Sequence, residues 1–289
     1  MTILVTGSTG FLGPHLMVAL KDTYPDVVGV SRSGGSDYQY DLTDSNAVQH
    51  LLSRASPAVI IHAAAMTDVT RCQQEPELAV KVNSGAVKNI VTHMPDGCRL
   101  IYISTDMVYS GGGPHREFSK SENPINMYGL SKFMGEFEAA RAKNHLILRT
   151  NMYGFGARIK KSSSLVDFLV QKFKSGEPFQ IFTDTLFSPL HVKTLSDLIV
   201  KLCKKNKVGT FNAGSTNGMS KSKFALLLAN KMNLPIGGAR PVESSSIPNR
   251  IPRPLDMRLD ITRIEALGFS MPQMEDDLTK MCEMYKWTN

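Results

Sequence analysis

Short apolar runs alternate with longer stretches of helical periodicity through the first half of the chain. Five apolar runs predict strands, at residues 2–6, 27–30, 58–61, 100–103 and 146–148. The stretches between them place apolar residues on one face of a helix, at residues 10–21, 45–52, 76–91 and 128–142. Strands that are almost continuously apolar fit a parallel sheet covered by helices on both faces. The pattern predicts an α/β fold built on a doubly wound parallel sheet.

The pattern loosens after about Gly154. Three further helices are predicted, at residues 165–174, 194–204 and 220–232, and loops containing Gly and Pro separate them. We therefore expect a first domain over residues 1–154 and a smaller C-terminal α/β substrate lobe over residues 155–289. The segment near 188–205 is expected to return to the first domain.

Three glycines lie between the first predicted strand and the first predicted helix, in Gly7-Ser8-Thr9-Gly10-Phe11-Leu12-Gly13. Gly7 can adopt a turn that a side chain would oppose, and Gly10 lets backbone N–H groups approach a pyrophosphate. Gly13 allows the helix to pack closely on the sheet. The spacing is G-x-x-G-x-x-G rather than the commoner G-x-G-x-x-G, but its position predicts the dinucleotide site of a Rossmann fold.

The end of the second predicted strand indicates which dinucleotide is used. An acid at this point would bind the ribose diol of NAD, whereas an arginine suits the 2′-phosphate of NADP. The sequence has Ser31-Arg32-Ser33 here, and no acid before Asp37. We expect NADP(H) to be preferred and NAD(H) to remain possible.

Tyr128 and Lys132 are four residues apart and share one face of the predicted helix that follows the fourth strand. That strand ends at Ser104-Thr105-Asp106, and strand ends line the ligand crevice of such a sheet. A ketone that accepts a hydride needs a proton donor, and an ammonium group lowers the pKa of a nearby tyrosine. We predict that Thr105, Tyr128 and Lys132 are catalytic, and that Lys132 lowers the pKa of Tyr128.

These motifs together resemble the extended short-chain dehydrogenase/reductases, and within them the dTDP-4-dehydrorhamnose reductase group. Further segments that carry the resemblance are Asp41-Leu42-Thr43-Asp44, His62-Ala63-Ala64-Ala65, Asn126 to Lys132, Leu148-Arg149-Thr150, Arg253-Pro254 and Leu259-Asp260. The resemblance covers nearly the whole chain.

The resemblance extends the site assignment beyond the glycine turn and the catalytic trio. Cofactor contacts are expected from Gly7, Thr9, Gly10, Phe11, Leu12, Gly13, Ser31, Arg32, Asp41, Leu42, Ala63, Ala64, Ala65, Tyr128 and Lys132. Substrate contacts are expected from Met66, Thr105, Asp106, Asn151, His191 and Arg253. The sequence departs from the usual rhamnose-forming pattern at two points on the substrate side. Asn151-Met152 replaces a serine-tryptophan pair, and Met257 stands where a serine is usual.

The expected function is NADP(H)-dependent reduction of a 4-keto sugar linked to a nucleoside diphosphate. One alternative is an epimerase or dehydratase on the same scaffold. A dehydratase usually has an acid pair beside the threonine, and Asp106-Met107 supplies only the aspartate. A 3,5-epimerase would need acid–base residues such as Cys and His in the substrate lobe, which the sequence does not place there. The other alternative is a non-catalytic regulatory NADP-binding subunit, because the beta subunit of methionine adenosyltransferase resembles the same group.

Composition narrows the remaining classes. The net charge of +7 comes partly from a basic run at residues 201–207, which a solvated helix end explains better than nucleic-acid binding. No apolar run approaches the roughly 18 residues needed to span a bilayer. The four cysteines match no metal or redox spacing, so we expect no metal site and a cytoplasmic protein with free thiols. Phe133, Met134 and Phe137 on the catalytic helix are candidates for a homodimer contact.

Overall fold

The computed structural model describes residues 1–118, 120, 122–156 and 164–287. Its centre is a seven-stranded sheet in the order β11-β6-β5-β4-β1-β2-β3, and every pairing in this sheet is parallel. The strand order reverses direction around β1, which is the topology of a doubly wound sheet. The predicted α/β class and parallel Rossmann sheet are confirmed.

Fourteen strands lie in the described part of the chain: β1 Ile3–Thr6, β2 Val27–Ser31, β3 Tyr38–Gln39, β4 Val59–His62, β5 Arg99–Thr105, β6 His145–Thr150, β7 Met152–Tyr153, β8 Phe179–Phe182, β9 Leu186–Phe187, β10 Leu190–His191, β11 Gly209–Ala213, β12 Met219–Ser220, β13 Ala239–Val242 and β14 Asp256–Met257. The helices of the same part are α1 Gly13–Lys21, α2 Ser45–Ala55, α3 Val69–Gln74, α4 Pro76–Val80, α5 Ala86–His93, α6 Met127–Ala140, α7 Leu165–Ser175, α8 Val192–Cys203, α9 Lys221–Lys231, α10 Thr262–Glu265 and α11 Met274–Trp287.

Alternate side chains of each central strand point into two separate cores. Ile3 and Val5 of β1 pack on the face that α1 and α8 cover, where Leu16 and Leu195 are fully buried. Leu4 points to the other face, which α2, α5 and α6 cover. Because both faces are buried, the middle positions of β1, β4, β5 and β6 are almost continuously apolar. Helix α8 lies against α1, and β11 extends the sheet beside β6, so the chain re-enters the first domain after residue 190.

A second lobe has its own core of buried aromatic and aliphatic side chains. Helices α7, α9 and α11 enclose Phe173, Phe187 and Phe224. Short strand pairs complete this lobe, with β8 beside β13 and β9 between β12 and β14. Within the described ranges, no helix is long and apolar enough to cross a bilayer.

The central sheet and its helices differ from the predictions at several points. Helix α1 begins at Gly13 rather than at residue 10, because the glycine turn occupies the preceding residues. The predicted helix at 76–91 is divided into α4 and α5 by a π-helical segment, Lys81–Gly85. Strand β11 was not predicted, because Gly209–Ala213 contains a single large apolar side chain, Phe211. Such a segment becomes a strand only through its pairing with β6.

Candidate active site

The glycine turn packs directly against the segment that follows β4. Gly7 has a φ of +69°, and a Cβ atom there would lie 2.8 Å from the backbone of Ala64. A Cβ atom on Gly13 would lie 2.3 Å from the Gly7 carbonyl oxygen, whereas Gly10 is exposed and meets only that oxygen, at 3.1 Å. Within the part of the chain that the structure describes, no side chain caps the N-terminus of α1. The uncapped N–H groups and the absence of side chains at this point suit a pyrophosphate.

The residues predicted to hold the adenosine end lie beside this turn. The Ser31 hydroxyl donates to the Gly34 carbonyl at 2.7 Å, and the Arg32 side chain is exposed. The Asp37 carboxylate accepts a hydrogen bond from the Gly29 N–H at 2.7 Å, so this carboxylate is already bound to the backbone of β2. The carboxylate of Asp41 accepts from the backbone N–H of Thr43, which lowers the pKa of Asp41, and the Arg32 charge lowers it further.

The Ala63-Ala64-Ala65 segment connects the turn to the substrate side. The Thr6 hydroxyl accepts from the Ala64 N–H at 3.1 Å. One residue beyond the segment, Met66 is held on both sides by Asn83, whose Oδ1 accepts from the Met66 N–H at 2.8 Å and whose Nδ2 donates to the Met66 carbonyl at 3.0 Å. Leu42 is buried in the core next to these elements. The glycine turn, Ser31 and the Ala63–Ala65 segment thus lie at the carboxyl ends of β1, β2 and β4, which are neighbouring strands of the sheet.

Thr105 and Tyr128 come together at the end of β5. Asn126 caps α6 by accepting from the Gly129 N–H at 2.9 Å, which places Tyr128 in the first turn of the helix. A Cβ atom on Gly129 would lie 2.2 Å from the Met107 carbonyl oxygen, so glycine allows α6 to approach the turn after β5. Tyr128 therefore lies close to Thr105, whose side chain lowers the pKa of the phenol.

Lys132 lies one turn further along α6 and is 2% exposed. Its ammonium group donates to the Ile103 carbonyl at 2.7 Å and lies 4.1 Å from the centre of the Tyr102 ring. Burial lowers the pKa of Lys132 to about 7, against the opposing charge of Glu136. Burial also raises the pKa of Tyr128, and the neighbouring Thr105 only partly offsets this effect. Lys132 is not among the groups that shift the pKa of Tyr128, so its expected effect on this phenol stays a prediction.

Asp106 and Asn151 meet directly beside the trio. The Asn151 Nδ2 donates to the Asp106 carboxylate at 2.6 Å, and the Thr105 hydroxyl donates to its other oxygen at 3.2 Å. Asp106 is 1% exposed, and burial raises its pKa to about 6 in spite of these hydrogen bonds. Arg253 approaches from the second lobe, and burial lowers its pKa.

His191 lies elsewhere. It precedes α8 and is buried against Tyr153, with 5.7 Å between the ring centres. Burial lowers the pKa of His191 to about 4, although the nearby Asp277 charge acts in the opposite direction. The ring lines a cavity of about 1220 Å³ bounded by α1, α8 and α11. Thr105, Tyr128 and Lys132 do not line this cavity.

Two structural features of the site were not predicted from the sequence. Asn83 is fully buried in the π-helical segment and also donates to the Ser131 hydroxyl at 2.9 Å, which ties α6 to Met66. A polar residue on the buried face of a predicted helix was the available signal, and π-helical turns are frequent at functional sites. Glu136 and Arg149 form a buried ion pair at 2.6 Å beneath the trio.

Comparison with known proteins identifies the relatives of this chain. The family model described as RmlD substrate binding domain matches residues 1–287. Methionine adenosyltransferase 2 subunit beta of Bos taurus is 31% identical over 278 residues, which cover 92% of this chain and 82% of that protein. A probable low-salt glycan biosynthesis reductase, Agl14 of Haloferax volcanii, is 31% identical over 298 residues, 97% of each chain.

A solved structure extends the comparison to the fold. The dTDP-4-dehydrorhamnose reductase of Bacillus anthracis, crystallised in complex with NADP, matches with a TM-score of 0.86 at 28% identity. The match covers 97% of this chain and 99% of that one. The family match over nearly the whole length agrees with the glycine turn, the sheet topology and the Thr105–Tyr128–Lys132 arrangement described above. The chain belongs to the RmlD substrate binding domain family.

Proposed function

We propose that the protein is an NADP(H)-dependent reductase that acts on a 4-keto sugar linked to a nucleoside diphosphate. The observation that carries the proposal is the close packing of α6 against the turn after β5, which places Tyr128 beside Thr105 at the end of the sheet that bears the glycine turn. Two of the similar proteins are reductases, one of sugar nucleotides and one of glycan biosynthesis.

The residues of this chain divide the chemistry between them. NADPH, when bound along the turn and the Ala63–Ala65 segment, would supply the hydride. Thr105 and Tyr128 hold the carbonyl oxygen, and Tyr128 gives it a proton as negative charge develops. Burial keeps the phenol protonated at neutral pH, because it raises the pKa of Tyr128. The ammonium of Lys132 lies on the same helical face and favours the phenolate that remains after transfer.

Arg32 supports NADP rather than NAD. It is exposed at the end of β2, and the acid next to it in sequence order, Asp37, is occupied by the Gly29 N–H. A guanidinium group can bind the 2′-phosphate, which NAD lacks.

A second function has a specific observation in its favour. The bovine protein that is 31% identical over 92% of this chain is a subunit of methionine adenosyltransferase 2. A chain of this family can therefore serve as a subunit of another enzyme. In that role the protein would bind a partner enzyme stably and would reduce no keto sugar.

The test is NADPH oxidation against a panel of nucleotide-linked 4-keto sugars, followed by Tyr128→Phe with the sugar that turns over. We expect the rate to fall by roughly 10²–10⁴-fold while NADPH affinity changes little, because the variant lacks only the proton donor. Tyr24→Phe is the matched control, since the Tyr24 hydroxyl donates to the Val200 carbonyl outside the site. An unchanged rate in Tyr128→Phe would exclude the tyrosine as the acid. No turnover across the panel, with stable capture of a partner enzyme, would support the subunit role instead.

A further inference from the structure

The side chain of Asn126 forms hydrogen bonds with two different parts of the protein. Its Oδ1 accepts from the Gly129 N–H at 2.9 Å, which caps the helix that carries Tyr128. Its Nδ2 donates to the Pro252 carbonyl at 3.0 Å, in a segment 126 residues further along the chain. Asn126 itself is 6% exposed. One buried side chain thus joins α6 to the segment that contains Arg253.

A second side chain fixes the start of α6. The Met127 N–H donates to Oε1 of Gln73, in α3, at 3.2 Å. The N–H groups of Met127 and Gly129 need such partners, because the first turn of a helix has no intrahelical acceptors for them. Tyr128 lies between these two residues, so the hydrogen bonds to Gln73 and Asn126 hold the backbone of the tyrosine in place.

The carbonyl that Asn126 binds lies in a stiff segment. Pro252 and Pro254 flank Arg253, and a proline ring fixes its own φ angle and favours an extended conformation for the residue before it. The Leu186 N–H donates to the Leu255 carbonyl at 2.6 Å, and β14 then pairs with β9 of the second lobe. The segment is therefore held on both sides, by Asn126 before the arginine and by β9 after it.

Arg253 has a donor that is available for a ligand. Its Nε is buried and has no hydrogen-bond partner within the described ranges. A buried N–H group without a partner is costly, so most such groups bind another atom. A guanidinium group binds phosphate and carboxylate oxygens through charge-assisted hydrogen bonds. The sequence predicts a substrate contact for Arg253, and this donor suits an oxygen atom of a nucleotide sugar.

We infer that Asn126 is a positioning residue that aligns the substrate contact of Arg253 with the helix that carries Tyr128. This inference rests on the proposed function, because it requires a nucleotide sugar at the same site. Asn126 needs no contact with the substrate or the cofactor: its amide nitrogen holds the arginine segment, while its oxygen holds α6. A nucleotide sugar bound by Arg253 then meets Thr105 and Tyr128 at a fixed separation, which favours productive binding.

Replacement by serine separates the two hydrogen bonds of Asn126. Asn126→Ser keeps an oxygen that can accept from the Gly129 N–H, and serine caps helices about as well as asparagine. The variant has no amide group to bind Pro252. It should therefore bind the nucleotide sugar about fivefold more weakly, which is the effect of one neutral hydrogen bond. Its circular dichroism spectrum and its affinity for NADPH should match those of the parent.

A double-mutant cycle tests whether Asn126 acts through Arg253. Isothermal titration calorimetry measures the affinity of NADP⁺-loaded protein for the nucleotide sugar that turns over in the NADPH assay, or for dTDP-glucose where none does. Arg253→Met should weaken binding by about ten- to a hundredfold, the effect of a charge-assisted bond. Asn126→Ser should add less than about twofold in the Arg253→Met background, because its effect requires the arginine. Asn230→Ser is the matched control, since Asn230 is exposed on α9, and it should bind as the parent does.

Steady-state kinetics separates the amide from the helix cap. With a sugar that turns over, Asn126→Ser should raise KM about fivefold and leave kcat within about twofold, because the cap still holds Tyr128. Asn126→Ala removes the cap as well, so its kcat should also fall. Asn126→Asp keeps a capping oxygen and lacks the amide donor, so it should repeat the binding cycle of Asn126→Ser.

The outcomes separate this inference from the proposed function. Losses that multiply in the double variant, in protein that reduces the sugar with NADPH, overturn the inference and leave the reductase intact. Coupled losses of binding without turnover of any sugar support the role of Asn126 and overturn the reductase. Parental affinity in folded Asn126→Ser, or no binding of nucleotide sugar by the parent, overturns the inference. Equal losses in Asn126→Ser and Asn230→Ser also overturn it.

Discussion

Replacement of Arg149 by methionine should destabilise the whole nucleotide-binding domain. The Arg149 side chain is 4% exposed and binds Glu136 at 2.6 Å and Glu122 at 2.7 Å. Its guanidinium also donates to the Tyr109 hydroxyl at 2.9 Å. Burial alone would lower the pKa of Arg149, but the hydrogen bonds and charge of Glu136 outweigh it, so the arginine stays charged. Its loss leaves two partly or fully buried carboxylates without their cation.

Removal of one partner from a buried ion pair costs about 3–5 kcal/mol. Total stabilities are about 5–15 kcal/mol, so this change is a large fraction of the folding free energy. We expect the midpoint of thermal unfolding to fall by roughly 6–20 °C, at about 2–4 °C per kcal/mol. Urea denaturation followed by circular dichroism measures the free energy directly.

A double variant separates the effect of the unpaired Glu136 carboxylate from the effect of losing the packing of the Arg149 side chain. Arg149→Met with Glu136→Gln should be less destabilised than the sum of the two single variants, because the amide no longer needs the cation. The expected coupling is about 0.5–3 kcal/mol. Lys193→Ala is the control, since its pairing with Asp197 is exposed and should contribute little. A loss below about 0.5 kcal/mol in Arg149→Met, the range of ordinary surface changes, would refute the reasoning.

Three further predictions concern cofactor binding and the loss of folding stability at acidic pH. Gly10→Val should fold normally but lose NADPH binding in a fluorescence titration, whereas Gly237→Val, which has open space around it, should bind as the parent does. Arg32→Ala should weaken NADPH binding by about ten- to a hundredfold, as expected for a charge-assisted bond, and leave NADH unchanged; equal affinities in the parent would contradict this role. Burial lowers the pKa of the His62 imidazole to about 3 in the folded protein. The contribution of His62 to folding stability is therefore fully present above pH 6.5 and is lost as the pH falls toward 3. Urea denaturation at several pH values measures the free energy of unfolding. Between pH 6.5 and 4 this free energy should fall by roughly 3 kcal/mol less in His62→Asn than in the parent, and an equal fall in both proteins would refute this.

The strands of the first domain were predictable because burial on both faces leaves a strong signal. Leu4 and Val5 face different cores, yet both positions require apolar side chains, so the run is continuous. The glycine turn was predictable for a different reason. A Cβ atom added to Gly7 or Gly13 would lie within 3 Å of backbone atoms. Only glycine tolerates such a close approach, so the glycines in the sequence indicate where it occurs.

The electrostatics of the site could not be predicted in the same way. Spacing placed Lys132 near Tyr128, but the ammonium group is directed to the Ile103 carbonyl, and burial determines both pKa directions. Burial depends on residues far away in sequence, including the Tyr102 ring beneath the lysine. A four-residue spacing therefore predicts which groups share a helix face, and the direction of a pKa shift requires the packed structure.

The separation of contacting residues along the chain explains why the predicted cofactor side has a clearer sequence signal than the predicted substrate side. The cofactor side is built from backbone geometry at one turn and from one helix, so its requirements lie within short segments of sequence. The substrate side includes contacts such as the hydrogen bond from Asn151 to Asp106, which joins residues 45 positions apart. Asn151 has no recognisable motif of its own, and its contact depends on what the fold places opposite it. Differences in substrate within this family are therefore expected at such long-range contacts, where a single side chain changes the chemistry while the cofactor edge stays the same.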